Sequence, residues 1–197
     1  AGSMGGRPFL LMDWVEGRTL ADVVRSDGGL PPARAIQAAR DAACGLQALH
    51  EAGLVHRDVK PSNLVLRSSG ETCVVDLGLV RSTRSGGDSW LTMTGDVLGT
   101  LCYIAPEQMV DPRRATAASD VYGLGASLIH LLVGRPPFEG RTGLEVAAAL
   151  RRGETARLDR SCGAPHALAD LVDRMTSAEP RRRPGSAREV EQSLAGM

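Results

Sequence analysis

Apolar residues recur with a helical period through most of this chain, and strand-like runs are few and short. The first run, Phe9-Leu10-Leu11-Met12, predicts a short strand. Thr19 then offers an N-cap for a helix through Arg25, with Asp22 three residues on to close its first turn. Pro31-Pro32 opens a long helix over 33–51, with Ile36, Ala39, Ala43, Leu46 and Leu49 on one stripe and Gly53 where a C-terminal cap is wanted. Two strands follow over 64–66 and 72–75, turning at Ser68-Ser69-Gly70. Residues 81–96 are polar and rich in Ser, Thr and Gly, and by composition alone read as a flexible linker. Beyond them the pattern is helical: 119–133 is apolar enough to be a central buried helix, stopped by Gly134-Arg135-Pro136-Pro137, and shorter helices are expected over 144–152, 166–175 and 187–194. The fold class is therefore α+β and predominantly helical, with short β-hairpins and no internal repeat.

Composition narrows the class of protein. The 197 residues suffice for one good-sized domain, with 43% hydrophobic and 23% charged residues. The 23 basic and 23 acidic residues cancel, which argues against a general attraction to nucleic acid or anionic lipid. Arg181-Arg182-Arg183 lacks the aromatic neighbours of a nucleic-acid patch, so no nucleic-acid partner is expected. Four scattered cysteines with no C-x-x-C pair indicate neither a zinc site nor a disulfide framework, consistent with a reduced, cytoplasmic setting. There is no signal peptide, and no apolar run approaches the ~18 residues of a membrane span, so this segment is expected to make no membrane contact, and any anchor would lie outside it. Ala1-Gly2-Ser3-Met4 reads as an expression-tag remnant outside the fold.

The chemistry is concentrated between His56 and Gly78. His56-Arg57-Asp58-Val59-Lys60-Pro61-Ser62-Asn63 follows the long helix, and Asp76-Leu77-Gly78 begins thirteen residues past Asn63. A carboxylate on a tight loop, a lysine two residues on and two hard oxygen donors are what phosphoryl transfer requires: a group to orient a hydroxyl, a cation for the moving phosphoryl group, and ligands for Mg2+. The first segment resembles the catalytic loop of protein kinases, and Asp76-Leu77-Gly78 resembles their metal-binding Asp-Phe-Gly with Leu for Phe. Thr92-Met93-Thr94, Gly99-Thr100, Tyr103 and Ala105-Pro106-Glu107 extend the likeness to bacterial, eukaryotic-like serine/threonine kinases.

That resemblance implies a protein-kinase-like C-terminal lobe over 19–197, with its catalytic loop at 56–63 and activation segment at 76–107, preceded over 5–18 by the last small-lobe strand and the hinge. It implies ATP and Mg2+ as cofactors and protein Ser/Thr hydroxyls as acceptors. Asp58 would orient the hydroxyl, Lys60 steady the γ-phosphate, Asn63 and Asp76 share the metal, and Thr100 bond the base and the lysine. Met12, Asp13, Val15 and Val65 would surround adenine, Met12 as gatekeeper and Val65 as floor. Thr92 and Thr94 would be phosphoacceptors, and Arg57 would pair with the phosphate they carry. Structural roles fall to His56 (stacked on Leu77 and tied to Asp120) and to a Glu107–Arg183 ion pair.

No Gly-rich phosphate loop or Val-Ala-Ile-Lys strand precedes Phe9, so the small lobe is expected to be missing and the chain alone inactive or nearly so. An upper face of Leu10, Leu11, Trp14, Val65 and Leu77 would then be bared, inviting the missing lobe or self-association. The competing reading is a non-catalytic, pseudokinase-like scaffold. A small-molecule phosphotransferase of related fold is a third, disfavoured by Lys60, the Thr92/Thr94 loop and Ala105-Pro106-Glu107.

Overall fold

The computed structural model of the chain describes residues 2–4, 7–9, 12–76 and 100–197. Two small antiparallel sheets and a helical body make up the described residues. β1 (Gly2–Met4) pairs with β2 (Arg7–Phe9), with Met4 opposite Arg7 and Gly2 opposite Phe9. Residues 2–4, expected to lie outside the fold, are thus paired. The intervening sequence is Gly5-Gly6, a dipeptide that favours two-residue hairpin connections. Of the residues expected to form a strand over 9–12, Phe9 ends β2, Met12 begins an irregular stretch over 12–16, and Leu10 and Leu11 lie outside the described residues. Phe9 is recruited by hairpin pairing with Gly2, which periodicity does not report.

The second sheet has the order β3 (Arg18–Thr19), β4 (Leu64–Leu66), β5 (Thr72–Val74). Thr19 faces Val65, which faces Cys73. Gly17 lies so close to this sheet that a Cβ there would fall 2.4 Å from the Leu66 carbonyl oxygen and 2.7 Å from Val65 Cγ1. This close approach, together with β3, covers Val65 to 7% exposure. The expectation that Val65 belongs to a bared face is therefore corrected.

α1 (Leu20–Asp27) starts where Thr19 caps it: its Oγ1 accepts from the Asp22 amide and donates to the Asp22 carboxylate. α2 (Pro32–Glu51) runs 20 residues and buries Ala35, Ala38, Ala39, Ala42, Ala43 and Leu46. Small residues on that face let it pack closely against β5, α4 (Ala117–Val133) and α7 (Ala187–Ala195). α2 ends in a Schellman pattern: the Gly53 amide bonds the His50 carbonyl, the Leu54 amide bonds that of Leu49, and Gly53 takes φ 74°.

α4 is buried almost all round and is closed by Gly134 at φ 83°. It packs against α6 (His166–Met175), with Leu124, Leu128, Leu131, Leu168 and Leu171 among the fully buried side chains. The short α3 (Pro106–Val110) rests on α5 (Gly143–Arg151), whose first turn is boxed by Thr142 and Glu145. Among the described residues no helix is long and apolar enough to cross a membrane.

Candidate active site

The loop between α2 and β4 brings Asp58, Lys60 and Asn63 together. Lys60 precedes proline, which drives it extended (φ −159°, ψ 161°), and Pro61 then starts a 3-10 turn through Asn63. The turn swings the Asn63 amide back: its Nδ2 donates to the Asp58 carbonyl at 2.7 Å and to Asp58 Oδ2 at 3.1 Å. Lys60 Nζ lies 3.0 Å from the same Oδ2 and donates to Thr100 Oγ1 at 3.1 Å. One carboxylate oxygen thus receives an amide and an ammonium, and the ammonium reaches across to a threonine forty positions later. Asn63 and Thr100 are buried, and the Asp58 and Lys60 side chains are mostly so.

The loop is held from below. Asp120, in the first turn of α4, has a fully buried carboxylate. Its Oδ2 accepts the His56 amide at 2.8 Å and its Oδ1 accepts the Arg57 amide at 2.8 Å. His50 Nε2 is also 2.8 Å from Oδ2. Arg57 takes φ 69°, a left-handed turn unusual for a residue with a long side chain. Gln108 Nε2 donates to the Arg57 carbonyl at 3.2 Å, tying the start of α3 to the same turn. The buried His56 ring accepts the Asp58 amide at Nδ1, leaving Nε2 to donate to the Val75 carbonyl at 3.0 Å. Gly123 lets α4 approach, since a Cβ there would fall 2.8 Å from the Val59 carbonyl oxygen.

Asp76 follows Val75, whose amide donates to the Asn63 carbonyl at 2.9 Å, so its backbone leaves β5 beside Asn63. Asp76 is exposed and takes φ 58°. Met12 and Asp13 are exposed and Val15 is half-buried, on the irregular stretch that leads to Gly17 and so to Val65. Leu10, Leu11, Leu77, Thr92 and Thr94 lie outside the described residues. Arg57 Nε is buried and has no hydrogen-bond partner.

Farther along, Arg183 grips Glu107 with two nitrogens at 2.7 and 2.8 Å, and Ser119 Oγ donates to the same carboxylate. Burial opposes the charge on Glu107, but the Arg183 and Ser119 hydrogen bonds and the nearby guanidinium win, holding its carboxyl below the usual range. Tyr103 OH is 2.6 Å from His130 Nδ1, the two rings stacked at 6.1 Å. Burial pushes the Tyr103 hydroxyl up and the His130 imidazole down, and it raises the neighbouring Cys102 thiol to about 11.

Periodicity and motif reading passed over His50, Ser119, Gln108, Gly123 and His130. Two of these left a trace in the sequence. His50 stands four residues after Leu46 and is thus a polar residue on the buried stripe. Gly123-Leu124-Gly125 interrupts an otherwise apolar helix, which signals close approach rather than helix propensity.

The protein kinase domain family model matches residues 5–194. The chain is 37% identical over 183 residues to the serine/threonine-protein kinase PknL of Mycobacterium tuberculosis, an alignment covering 92% of this chain and 45% of that protein. It is 41% identical over 143 residues to the serine/threonine-protein kinase PknB of Mycolicibacterium smegmatis, covering 73% of this chain and 23% of that one. The chain spans less than half the length of these curated relatives.

Proposed function

This chain belongs to the protein kinase family, and from that premise we propose that it carries the catalytic loop of a bacterial serine/threonine kinase, which transfers the γ-phosphoryl group of ATP to protein Ser or Thr hydroxyls. The observation that carries the reading is the shared Asp58 oxygen. Asn63 and Lys60 hold the carboxylate from two sides, while the buried Asp120 fixes the turn beneath it. In this reading Asp58 accepts the proton of the acceptor hydroxyl as its oxygen attacks phosphorus and the bond to ADP breaks. Lys60, already beside Asp58 and Thr100, supplies positive charge where the phosphoryl group passes.

The donor set fits Mg2+. Asn63 commits its Nδ2 to Asp58, which leaves Oδ1 as its coordinating end, and Asp76 offers a carboxylate one residue beyond the strand that bonds Asn63. When bound, the metal would neutralise phosphate charge. Val65 is assigned the floor beneath adenine, with Met12, Asp13 and Val15 along the preceding stretch; the cover that Gly17 and β3 place over it would have to open for the base to reach it. The buried, unpartnered Nε of Arg57 suits a phosphate on Thr92 or Thr94. His56, Leu77, Asp120 and the Glu107–Arg183 pair are assigned structural roles.

The sequence given has no glycine-rich phosphate loop and no strand lysine, parts that supply much of the positioning on which phosphoryl transfer depends. This chain by itself is therefore expected to turn over little or not at all. The test is transfer of labelled γ-phosphate from MgATP to a generic Ser/Thr substrate. The full-length protein should transfer, and Asp58→Asn should lower its kcat by roughly 10²–10⁴. Unchanged kcat in that variant would sink the assignment of Asp58, and robust turnover by the chain alone would sink the claim of inactivity.

A further inference from the structure

Gln108 is the third residue of the short helix α3, and both ends of its side-chain amide are engaged. Its Oε1 accepts the Ala105 amide at 3.2 Å, and its Nε2 donates to the Arg57 carbonyl at 3.2 Å. The Ala105 N–H can only donate and the Arg57 carbonyl can only accept, so these partners fix which end of the side chain is nitrogen. The loop of residues 56–63 is thereby joined to residues 100–108 on both flanks of Asp58. Gln108 meets Arg57 just before it, and Thr100 meets Lys60 just after it.

We propose that Gln108 is a positioning residue: by donating to the Arg57 carbonyl it sets the plane of the peptide unit that enters Asp58, and so the direction in which the Asp58 carboxylate faces. The inference rests on the reading of Asp58 as the hydroxyl-orienting carboxylate. That peptide unit is held at both ends. Gln108 grips its carbonyl oxygen, and the His56 ring accepts its N–H, the Asp58 amide, at 3.3 Å. Both bonds are long, so neither alone pins the plane, and loss of one leaves rotation opposed only by the other. Turning the plane moves the Asp58 nitrogen, and with it the Cα–Cβ bond that aims the carboxylate. Arg57 stands at φ 69°, an unfavourable value that surrounding contacts have to maintain. A bond to the Ala105 amide alone would make Gln108 a cap for α3 and nothing more.

The two roles use opposite ends of one amide, which separates them by experiment. Gln108→Glu keeps an acceptor for Ala105 and loses the donor to Arg57. Gln108→Lys keeps a donor long enough to reach the carbonyl and loses the acceptor, and Gln108→Met loses both. In the full-length protein, the Glu and Met variants should lower kcat for peptide phosphorylation by roughly 3- to 10-fold with the peptide KM unchanged. The Lys variant should restore most of that kcat. Because the Met variant is uncharged, its agreement with the Glu variant excludes a field effect on Asp58. Stability should run in a different order: the Glu variant should keep the parent's urea midpoint, while the Lys and Met variants lose part of it with the cap. The Arg57 carbonyl-carbon and Asp58 amide resonances should move in the Glu and Met variants and stay near their parent positions in the Lys variant. A kcat that follows stability, with the Glu variant like the parent and the Lys variant low, would overturn the proposal and leave Gln108 as a cap. Parent kcat in all three variants, a changed KM at constant kcat, or unmoved Arg57 and Asp58 resonances in the Glu variant would also overturn it. Should the unsubstituted full-length protein transfer no phosphate, the reading of Asp58 alone fails, and the resonances still decide whether Gln108 sets the peptide plane.

Discussion

Glu107 and Arg183 show what one pair of side chains can do in a buried setting. The two-nitrogen grip comes with three further guanidinium bonds, to the carbonyls of Ser177, Ala118 and Ala178, and the Arg183 guanidinium stands 5.0 Å from the Tyr122 ring centre. Every donor has a partner or a π face, so truncating either member strands a charge. Glu107→Ala should therefore cost about 3–5 kcal/mol of folding free energy in urea denaturation, a loss Glu107→Asp recovers only in part. The same groups set a pH dependence. Glu107 has its folded pKa held below the ordinary carboxylate value, so its contribution is complete above that value and is lost as pH falls through the folded pKa. His130 is also depressed, mainly by burial, against the opposing charge of Glu139. Its neutral form is the folded one, so stability should begin to fall as pH drops below about 6.5. Denaturation midpoints between pH 8 and 5 should decline in the parent and decline less in His130→Gln; parallel curves would refute the assignment. At this scale the sequence was legible wherever the geometry of the candidate site depends on contiguous residues. Asp58, Lys60 and Asn63 fall within six positions, so spacing alone brings them together. His50 and Asp120, seventy positions apart, meet only through the packing of α2 on α4.

Helices α2 and α4 carry the site because each gives up side-chain volume where another backbone must pass. Gly123 faces the loop of residues 56–63 at Val59, and Gly125 faces the end of α6 at Met175 and Thr176. A methyl at either position collides with its neighbour, although alanine would gain up to about 1 kcal/mol of helix propensity. Overpacking usually costs about 1–3 kcal/mol, so both alanine variants should be destabilised on balance. Only Gly123→Ala should shift the amide resonances of residues 56–63. If Gly125→Ala moves them equally, the loop responds to α4 as a whole rather than to the local contact. Element positions were mostly readable from periodicity: the long and central helices appear within two residues of their expected limits. The strands were less readable. β3 has two residues and no apolar pattern, so its pairing with β4 is a tertiary event, and β1 was hidden in residues that read as a tag. α2 also buries Ala35, Ala38 and Ala42, which a stripe drawn through its larger residues passes over.

For the molecule as a whole, the question is what covers the surface around the N-terminal stretch. Trp14 is 91% exposed and Met12 53%, whereas Val65 is already covered. Among the described residues of the expected face, Trp14 is the apolar side chain left open and Val65 is not. A tryptophan can remove roughly 150–250 Å² from water, so a symmetric contact burying Trp14 from two copies gains about 8–12 kcal/mol at about 25 cal/mol per Å². Association costs an estimated 4–15 kcal/mol in lost freedom before any side chain is ordered. These magnitudes nearly balance, so two copies of this chain should associate weakly, in the micromolar to millimolar range, and readily yield to a better-fitting cover such as a small lobe. Sedimentation velocity over a hundredfold range of concentration should show a rising weight-average mass, and Trp14→Ser should flatten the curve. Self-association that persists unchanged in Trp14→Ser would place the contact elsewhere, and a monomer at millimolar concentration would show that this surface has no affinity for itself. Scattered exposed apolar side chains elsewhere, such as Val110 and Leu144, need no such cover, because single apolar residues are ordinary on folded surfaces.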